Sequence, residues 1–137
     1  MEQSYNLHHI GCAVRDIEKA KKYYIDFLGY NLCGTIEENE INLKACFLWK
    51  DNHYLELVES IDKSKKSIID KVVRILGGGV YHQCYEVENL KMAIREFEEK
   101  GFVRYQRKFN ENQYMRYIYM ITPDNYLIEL LEKLKEF

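Results

Sequence analysis

The segment "YHQCYEVENLKMAIREFEEKG" (residues 81–101) repeats the plan of "HHIGCAVRDIEKAKKYYIDFLG" (residues 8–29). Each has a histidine near the start of a short run typical of a β-strand, ends that run in Val, and continues as an amphipathic helix closed by glycine. A true repeat holds at one fixed offset. An offset of 73 residues aligns Val14 with Val87 and also aligns "YLELVE" (54–59) with "LIELLE" (127–132). We therefore predict two copies of one module.

Each copy is predicted to contain its elements in the order βαβββ, which indicates an α+β fold. In the first helix the apolar stripe is Ile17, Ala20, Tyr24, Phe27 and Leu28, with Asp16 as N-cap and Gly29 after its end. The predicted first copy has strands at 7–14, 30–37, 43–50 and 53–60 and a helix at 15–30. The predicted second copy has strands at 80–87, 102–109, 113–121 and 126–133 and a helix at 88–101.

The segment between the two copies predicts a connecting helix. Its apolar residues fall on one helical stripe, and Gly77-Gly78-Gly79 would end the helix in a flexible joint. The stripe consists of Ile68, Ile69, Val72, Val73 and Leu76. We expect one domain over residues 1–137, with module 1 at about 7–60, the connector at about 61–79 and module 2 at about 80–132.

Composition and charge argue against several functional classes. The chain has 20 basic and 22 acidic residues and a net charge of −2, so no overall positive field attracts nucleic acid. Its apolar runs are far shorter than the ~18 residues that a membrane span needs. The four cysteines form no C-x-x-C pair, and the N-terminus lacks the basic and apolar regions of a signal peptide. We expect a cytoplasmic location, reduced thiols, and neither a membrane nor nucleic acid as partner.

The same offset aligns two residue types that bind metals. His9 falls on His82 and Glu56 falls on Glu129, so that 47 residues separate histidine from glutamate in both copies. Each glutamate interrupts an otherwise apolar strand, where a buried carboxylate is costly unless it is paired, hydrogen-bonded or bound to a metal. Two imidazoles and two carboxylates suit one divalent ion of Zn, Mn, Co, Ni or Fe, and would leave positions for substrate oxygens.

Simpler interpretations apply to each residue taken alone. An isolated histidine on a half-buried strand is more often a hydrogen-bonded core residue, and an isolated glutamate on a strand more often faces solvent. His8 and His53 have no repeat partner and are interpreted as non-ligands. Glu59 and Glu132, on the opposite strand faces, are expected to face solvent. If each residue were present only for its own hydrogen bonds or solvation, the two histidines and two glutamates would not align at one offset. The joint pattern therefore favours a metal site.

At these residues the chain resembles the vicinal oxygen chelate superfamily, which includes glyoxalase I, methylmalonyl-CoA epimerases, extradiol dioxygenases and antibiotic-resistance proteins. The matching segments are "HIGCAVRDIEKAKKYYIDFLGY", "YLELVE", "GGGVYHQCYEVENLKMAIREFEEKGF" and "TPDNYLIELLE". The resemblance implies paired modules whose mixed sheet curls around a metal-binding cup, with helices outside. The family's ligand positions fall on His9, Glu56, His82 and Glu129.

Within that superfamily the connector and the strand that follows it look most like methylmalonyl-CoA epimerases. The resemblance implies proton abstraction α to a thioester through an enediolate, with Glu129 as ligand and base and Glu40 as the second base. It implies a substrate with vicinal oxygens, an acyl-CoA or a glutathione hemithioacetal, and a homodimer. A lactoylglutathione lyase (glyoxalase I) activity and a non-catalytic binding or resistance protein are the alternatives.

Overall fold

The computed structural model describes residues 3–135 and confirms the α+β class. It divides into two compact units, one formed by residues 9–81 and the other by residue 82 onward together with the segment up to His8. The predicted connector lies in the first of these units. Within the described residues no helix is long and apolar enough to span a bilayer.

The βαβββ order predicted for the first copy is present in the chain. Strand β1 is followed by helix α1, by strands β2 to β4 and by the connecting helix α2. The bounds are β1 Asn6–Ala13, α1 Ile17–Lys21, β2 Asn31–Glu38, β3 Leu43–Lys50, β4 His53–Ser60 and α2 Asp70–Leu76. The strands pair in the order β2-β3-β4-β1; β1 runs parallel to β4, and the other pairs are antiparallel.

The second unit repeats this arrangement with one difference. Its strands pair in the order β5-β9-β8-β6, with β5 parallel to β9. The bounds are β5 Gly79–Glu86, α3 Leu90–Glu99, β6 Val103–Arg104, β7 Asn110–Glu111, β8 Met115–Ile121 and β9 Leu127–Lys133. The long strand predicted at 102–109 is wrong: that range contains the short strand β6, and β7 follows it; both pair with β8. Between them Arg104 donates to the carbonyl of Arg107, so the chain turns instead of extending along β8.

The first helix departs from the predicted stripe. After Lys21 it continues as a π-helix over Lys22–Phe27, in which the Leu28 amide donates to the Tyr23 carbonyl five residues earlier. The wider turn rotates the following side chains around the axis. Ile25 therefore packs against the sheet, whereas Phe27, predicted to be on the apolar face, is 85% exposed.

The connecting helix ends at glycine as predicted. Gly77 has a left-handed backbone and its amide donates to the Val73 carbonyl four residues earlier, which is the pattern of an αL cap. A Cβ built on Gly78 would lie 2.7 Å from the Ala13 carbonyl oxygen. The glycine run thus permits a close backbone approach to β1.

A helix covers one face of each sheet. In the first unit one face packs on α1 through Cys12, Ile17, Cys46 and Leu57. Its other face packs on α2 near the ends of the strands, through Ala13, Val58 and Ile69. In the second unit α3 covers one face in the same way; that cluster includes Leu90, Ile94, Ile118 and Leu130. The opposite face of each sheet carries the predicted ligands.

Candidate metal centre

In the first unit β1 and β4 bring His9 and Glu56 together. Gly11 lies opposite Glu56 in the parallel pairing, and His9, two residues earlier, points to the same face. The His9 Nε2 and Glu56 Oε1 atoms are 3.3 Å apart. His9 is 1% exposed and Glu56 8%, so both groups are withdrawn from solvent. The pair predicted from the repeat therefore exists as a buried imidazole–carboxylate contact.

The second unit contains the same pair at the same register. Cys84 lies opposite Glu129 in the parallel pairing of β5 with β9, and His82 again precedes the opposed residue by two positions. The His82 Nε2 and Glu129 Oε1 atoms are 2.8 Å apart, and both residues are buried. Since Gly11 and Cys84 are themselves separated by 73 residues, the repeat extends to the strand register.

The spacing within each pair fits two ligands on one ion. Metal–ligand bonds of about 2.0–2.2 Å, at angles between octahedral and tetrahedral, put neighbouring donor atoms about 2.8–3.6 Å apart. The observed 2.8 and 3.3 Å lie within that range. Each residue of the two pairs offers one nitrogen or oxygen donor, and this donor chemistry suits the divalent ions named above. A histidine N–H that donates a hydrogen bond to the carboxylate gives similar distances. Elemental analysis for bound metal distinguishes such a hydrogen bond from a pair of metal ligands.

Each histidine ring also rests against an aromatic ring that sequence reasoning missed. Phe47 lies opposite Glu56 in the pairing of β3 with β4 and contacts His9 edge-to-face at 5.3 Å between centroids. Tyr119 lies opposite Glu129 in the pairing of β8 with β9 and contacts His82 at 5.4 Å. The two aromatics are 72 residues apart, because the second hairpin is one residue longer. A search allowing a one-residue shift would have found them.

The expectation that Glu59 and Glu132 face solvent is wrong. The Ile17 amide donates to Glu59 Oε1 at 2.9 Å, and the Leu90 amide donates to Glu132 Oε1 at 2.8 Å. Both helices begin with amides that have no partner within the helix, and these carboxylates supply one. Each glutamate also forms an ion pair. Lys63 Nζ lies 2.6 Å from Glu59 Oε2, and Arg116 Nη1 lies 3.3 Å from Glu132 Oε2.

Glu40 lies away from the His9–Glu56 pair. It is exposed on the 3₁₀ turn Asn39–Ile41 between β2 and β3. That turn leads into Leu43, which pairs with Ser60, four residues along β4 from Glu56, or about 13 Å of strand. Asn42 holds the turn with a left-handed backbone at φ 59°. The role of Glu40 as a second base therefore stays a prediction.

Comparisons with known proteins show the family to which the chain belongs. The family model for the glyoxalase/bleomycin resistance protein/dioxygenase superfamily matches residues 8–119. Lactoylglutathione lyase of Schizosaccharomyces pombe is 29% identical over 149 residues, covering 95% of this chain and 48% of that protein. Mitochondrial methylmalonyl-CoA epimerase of Mus musculus is 30% identical over 94 residues, covering 69% of this chain and 52% of that protein. The chain thus spans about half the length of these two relatives.

Solved structures share the fold. A hypothetical protein of Bacillus halodurans superimposes with a TM-score of 0.86 at 24% identity, covering 98% of each chain. Methylmalonyl-CoA epimerase of Mycobacterium tuberculosis superimposes with a TM-score of 0.83 at 24% identity, covering 95% of this chain and 89% of that one. At these identities the likeness concerns the fold.

Proposed function

The chain belongs to the glyoxalase/bleomycin resistance protein/dioxygenase superfamily, and we propose that it is a divalent-metal-dependent enzyme most like methylmalonyl-CoA epimerase. Its reaction would remove and return a proton α to a thioester carbonyl. Curated epimerases from mouse and from Cereibacter sphaeroides, at 30% and 28% identity, support this choice within the family.

The observation that carries the proposal is the twofold occurrence of a buried imidazole–carboxylate pair at one register. We propose that the pairs His9–Glu56 and His82–Glu129 supply four ligands to a single ion. A closed structural site would be expected to use thiolates, whereas four N and O ligands leave positions for two substrate oxygens on a six-coordinate ion. The bound ion would act as a Lewis acid that stabilises the negative charge developing on the substrate oxygens.

The protein's own groups have defined tasks in this proposal. His9 and His82 offer Nε2 atoms as ligands, and the edge-to-face contacts of Phe47 and Tyr119 hold the two rings in place. Glu129 takes the α-proton on a carboxylate oxygen and returns it. Glu40 would do the same from the opposite face of the substrate. Because the turn enters β3 opposite Ser60, about 13 Å along β4 from Glu56, this second role requires the turn to approach the substrate on binding.

A lactoylglutathione lyase activity is the second candidate. The observation in its favour is the yeast lyase, whose similarity extends over 95% of this chain. That reaction also moves a proton next to a carbonyl and needs the same arrangement of a Lewis acid and a carboxylate. A non-catalytic binding protein is the third candidate, and it would have no need for a base beside the ligands.

Deuterium exchange distinguishes the three. The metal-loaded protein is incubated in D₂O with methylmalonyl-CoA, or with the hemithioacetal of methylglyoxal and glutathione, and the α-proton is followed by NMR. Exchange and epimerisation of the thioester support the epimerase, and formation of a lactoyl thioester supports the lyase. If metal is bound and neither substrate reacts, the proposed enzyme function fails and the binding protein is favoured.

Variants assign the two bases in the same assay. Glu129→Gln should abolish exchange. If Glu40 is the second base, Glu40→Gln should still exchange the α-proton of one enantiomer but should no longer interconvert the enantiomers. Glu37→Gln, an exposed acid on the neighbouring strand, is the matched control and should behave as wild type. We also propose a homodimer, which light scattering on the purified protein tests directly.

A further inference from the structure

The unit formed by residues 9–81 contains an open pocket at some distance from the ligand pair. Its volume is about 610 Å³. The pocket lies between the segment that follows β1, the end of β4, the loop at 61–69 and the helix α2, and Ser60 and Ile69 in its lining are buried. Ser60 is four residues beyond Glu56, about 13 Å along β4. A cavity of this size suits a small molecule.

The pocket is strongly basic although the whole chain is acidic. Five cations and one carboxylate, Asp70, line it, which gives a local charge of +4 in a chain whose net charge is −2. The cations are Arg15, Lys63, Lys65, Lys66 and Arg74. Like charges gathered in one concave surface repel one another, so an anionic ligand would be bound favourably there.

Most of this positive charge is not neutralised by the protein. Lys63 is paired with Glu59 at 2.6 Å. Lys65, Lys66 and Arg74 make no ion pair within residues 3–135. The one acid of the lining, Asp70, already accepts hydrogen bonds from the amide and hydroxyl of Ser67, at 2.9 and 3.1 Å. Three cations thus remain available to a ligand.

The loop that carries the lysines is held in place. The Asn42 side-chain amide is buried and donates to the carbonyls of Asp62, Lys65 and Lys66 at 3.0–3.3 Å, while its oxygen accepts from the Asp62 amide at 2.8 Å. The Asp62 carboxylate in turn accepts from the Ser64 amide and hydroxyl. The backbone is therefore fixed before a ligand arrives, which reduces the entropy lost on binding.

We propose that this pocket binds the diphosphate group of a small molecule. Guanidinium groups match phosphate oxygens in a bidentate geometry, and lysines add point charges, so two arginines with three lysines suit more than one phosphate. The net charge of the chain is −2, which disfavours a nucleic-acid backbone as the ligand. The diphosphate has two candidate sources: a free nucleotide or, resting on the proposed function, the nucleotide part of an acyl-CoA substrate.

Calorimetric titration with inorganic pyrophosphate, ADP and coenzyme A tests the proposal at low and at physiological salt. The wild type should bind pyrophosphate and ADP, with or without coenzyme A. Each affinity should be lower at the higher salt concentration. The double variant Lys66→Gln/Arg74→Gln should bind at least 10-fold more weakly. The matched control is Lys71→Gln, an exposed lysine on the same helix that does not line the pocket, and its affinity should equal that of wild type.

The arms identify the source of the diphosphate. Coenzyme A binding, lost in the double variant, assigns the pocket to the nucleotide end of the substrate. Binding of ADP and pyrophosphate without coenzyme A assigns it to a free nucleotide. The proposal is overturned if neither pyrophosphate nor ADP binds, or if the double variant and Lys71→Gln bind as wild type does. The titration needs no metal and no turnover, so a negative titration does not contradict the proposed reaction. A negative activity assay likewise does not contradict phosphate binding in this pocket.

Discussion

Glu132 accepts a hydrogen bond at 2.8 Å from the backbone amide of Leu90, a residue 42 positions earlier in the chain. The second member of the repeat is Glu59, which accepts from Ile17 at 2.9 Å over the same separation. Each glutamate lies three residues after a predicted metal ligand, and each amide opens the helix that follows a histidine strand. In each unit this hydrogen bond therefore joins the strand that carries the glutamate ligand to the helix that follows the histidine strand.

Replacing Glu132 by alanine should lower the free energy of unfolding by about 1–2 kcal/mol, because the first amide of α3 loses its acceptor. Urea denaturation measures the change. Glu88→Ala, an exposed acid in the turn just before the helix, is the control and should stay within about 0.5 kcal/mol of wild type. Equal effects of the two substitutions would contradict the assigned role.

Metal binding should depend on both units. His82→Ala and Glu56→Ala should each weaken the affinity for Zn²⁺ or Co²⁺ by at least about 100-fold, more than the 10–100-fold typical of outer-shell changes. Elemental analysis and competition with a chelator measure it. His53→Ala is the control: that exposed ring contacts the Tyr30 hydroxyl, and its removal should leave the metal content unchanged. Unchanged metal content in His82→Ala would refute the assignment.

Gly78→Ala should destabilise the first unit by about 1–3 kcal/mol. Its φ of +123° strains an alanine, and the new Cβ would lie 2.7 Å from the Ala13 carbonyl oxygen. Thermal or urea unfolding detects the loss. In Gly34→Ala the added methyl meets no atom within 4 Å, and no positive φ is involved, so this control should match wild type or exceed it slightly. A Gly78→Ala protein as stable as the control would show that the close approach to β1 is absent.

Alkaline conditions should destabilise the protein through Tyr24. Desolvation by burial, with a smaller contribution from the nearby Cys12 thiol, raises the pKa of Tyr24 to about 12. A pKa raised in the folded state means that the stabilisation is complete below the unfolded value of about 10 and disappears as the pH rises towards 12. Unfolding free energies measured from pH 9 to 12 should therefore fall.

In Tyr24→Phe this fall should be shallower, since the ring stays and the titrating hydroxyl is gone. Tyr126→Phe, which alters an exposed tyrosine, should retain the wild-type slope. If the slopes of the wild type and Tyr24→Phe coincide, Tyr24 contributes nothing to the pH dependence.

The repeat made the ligand strands predictable, because residues aligned at an offset of 73 lie on the same face of their sheets and pair with equivalent residues of the neighbouring strand. Other features depend on interactions that periodicity does not encode. The π-helical turn that exposes Phe27 arises from one changed hydrogen-bond spacing. The acceptors Glu59 and Glu132 looked like solvent-facing acids because their donors are 42 residues away. The strand at 102–109 shortens because the Arg104 side chain donates to the backbone carbonyl of Arg107 across a turn.

The two hairpins that lead into the ligand strands differ in length, yet the carboxylates sit at identical registers. Asp51 and Asn52 close the first hairpin, whereas residues 122–126 close the second, so Phe47 and Tyr119 oppose their glutamates across unequal loops. The hydrogen-bond pairing between the strands, and not the length of the loop, thus sets the position of each carboxylate along its strand. We therefore expect the turn at Pro123–Asp124 to accept an inserted peptide tag while Glu129 keeps its register opposite Tyr119.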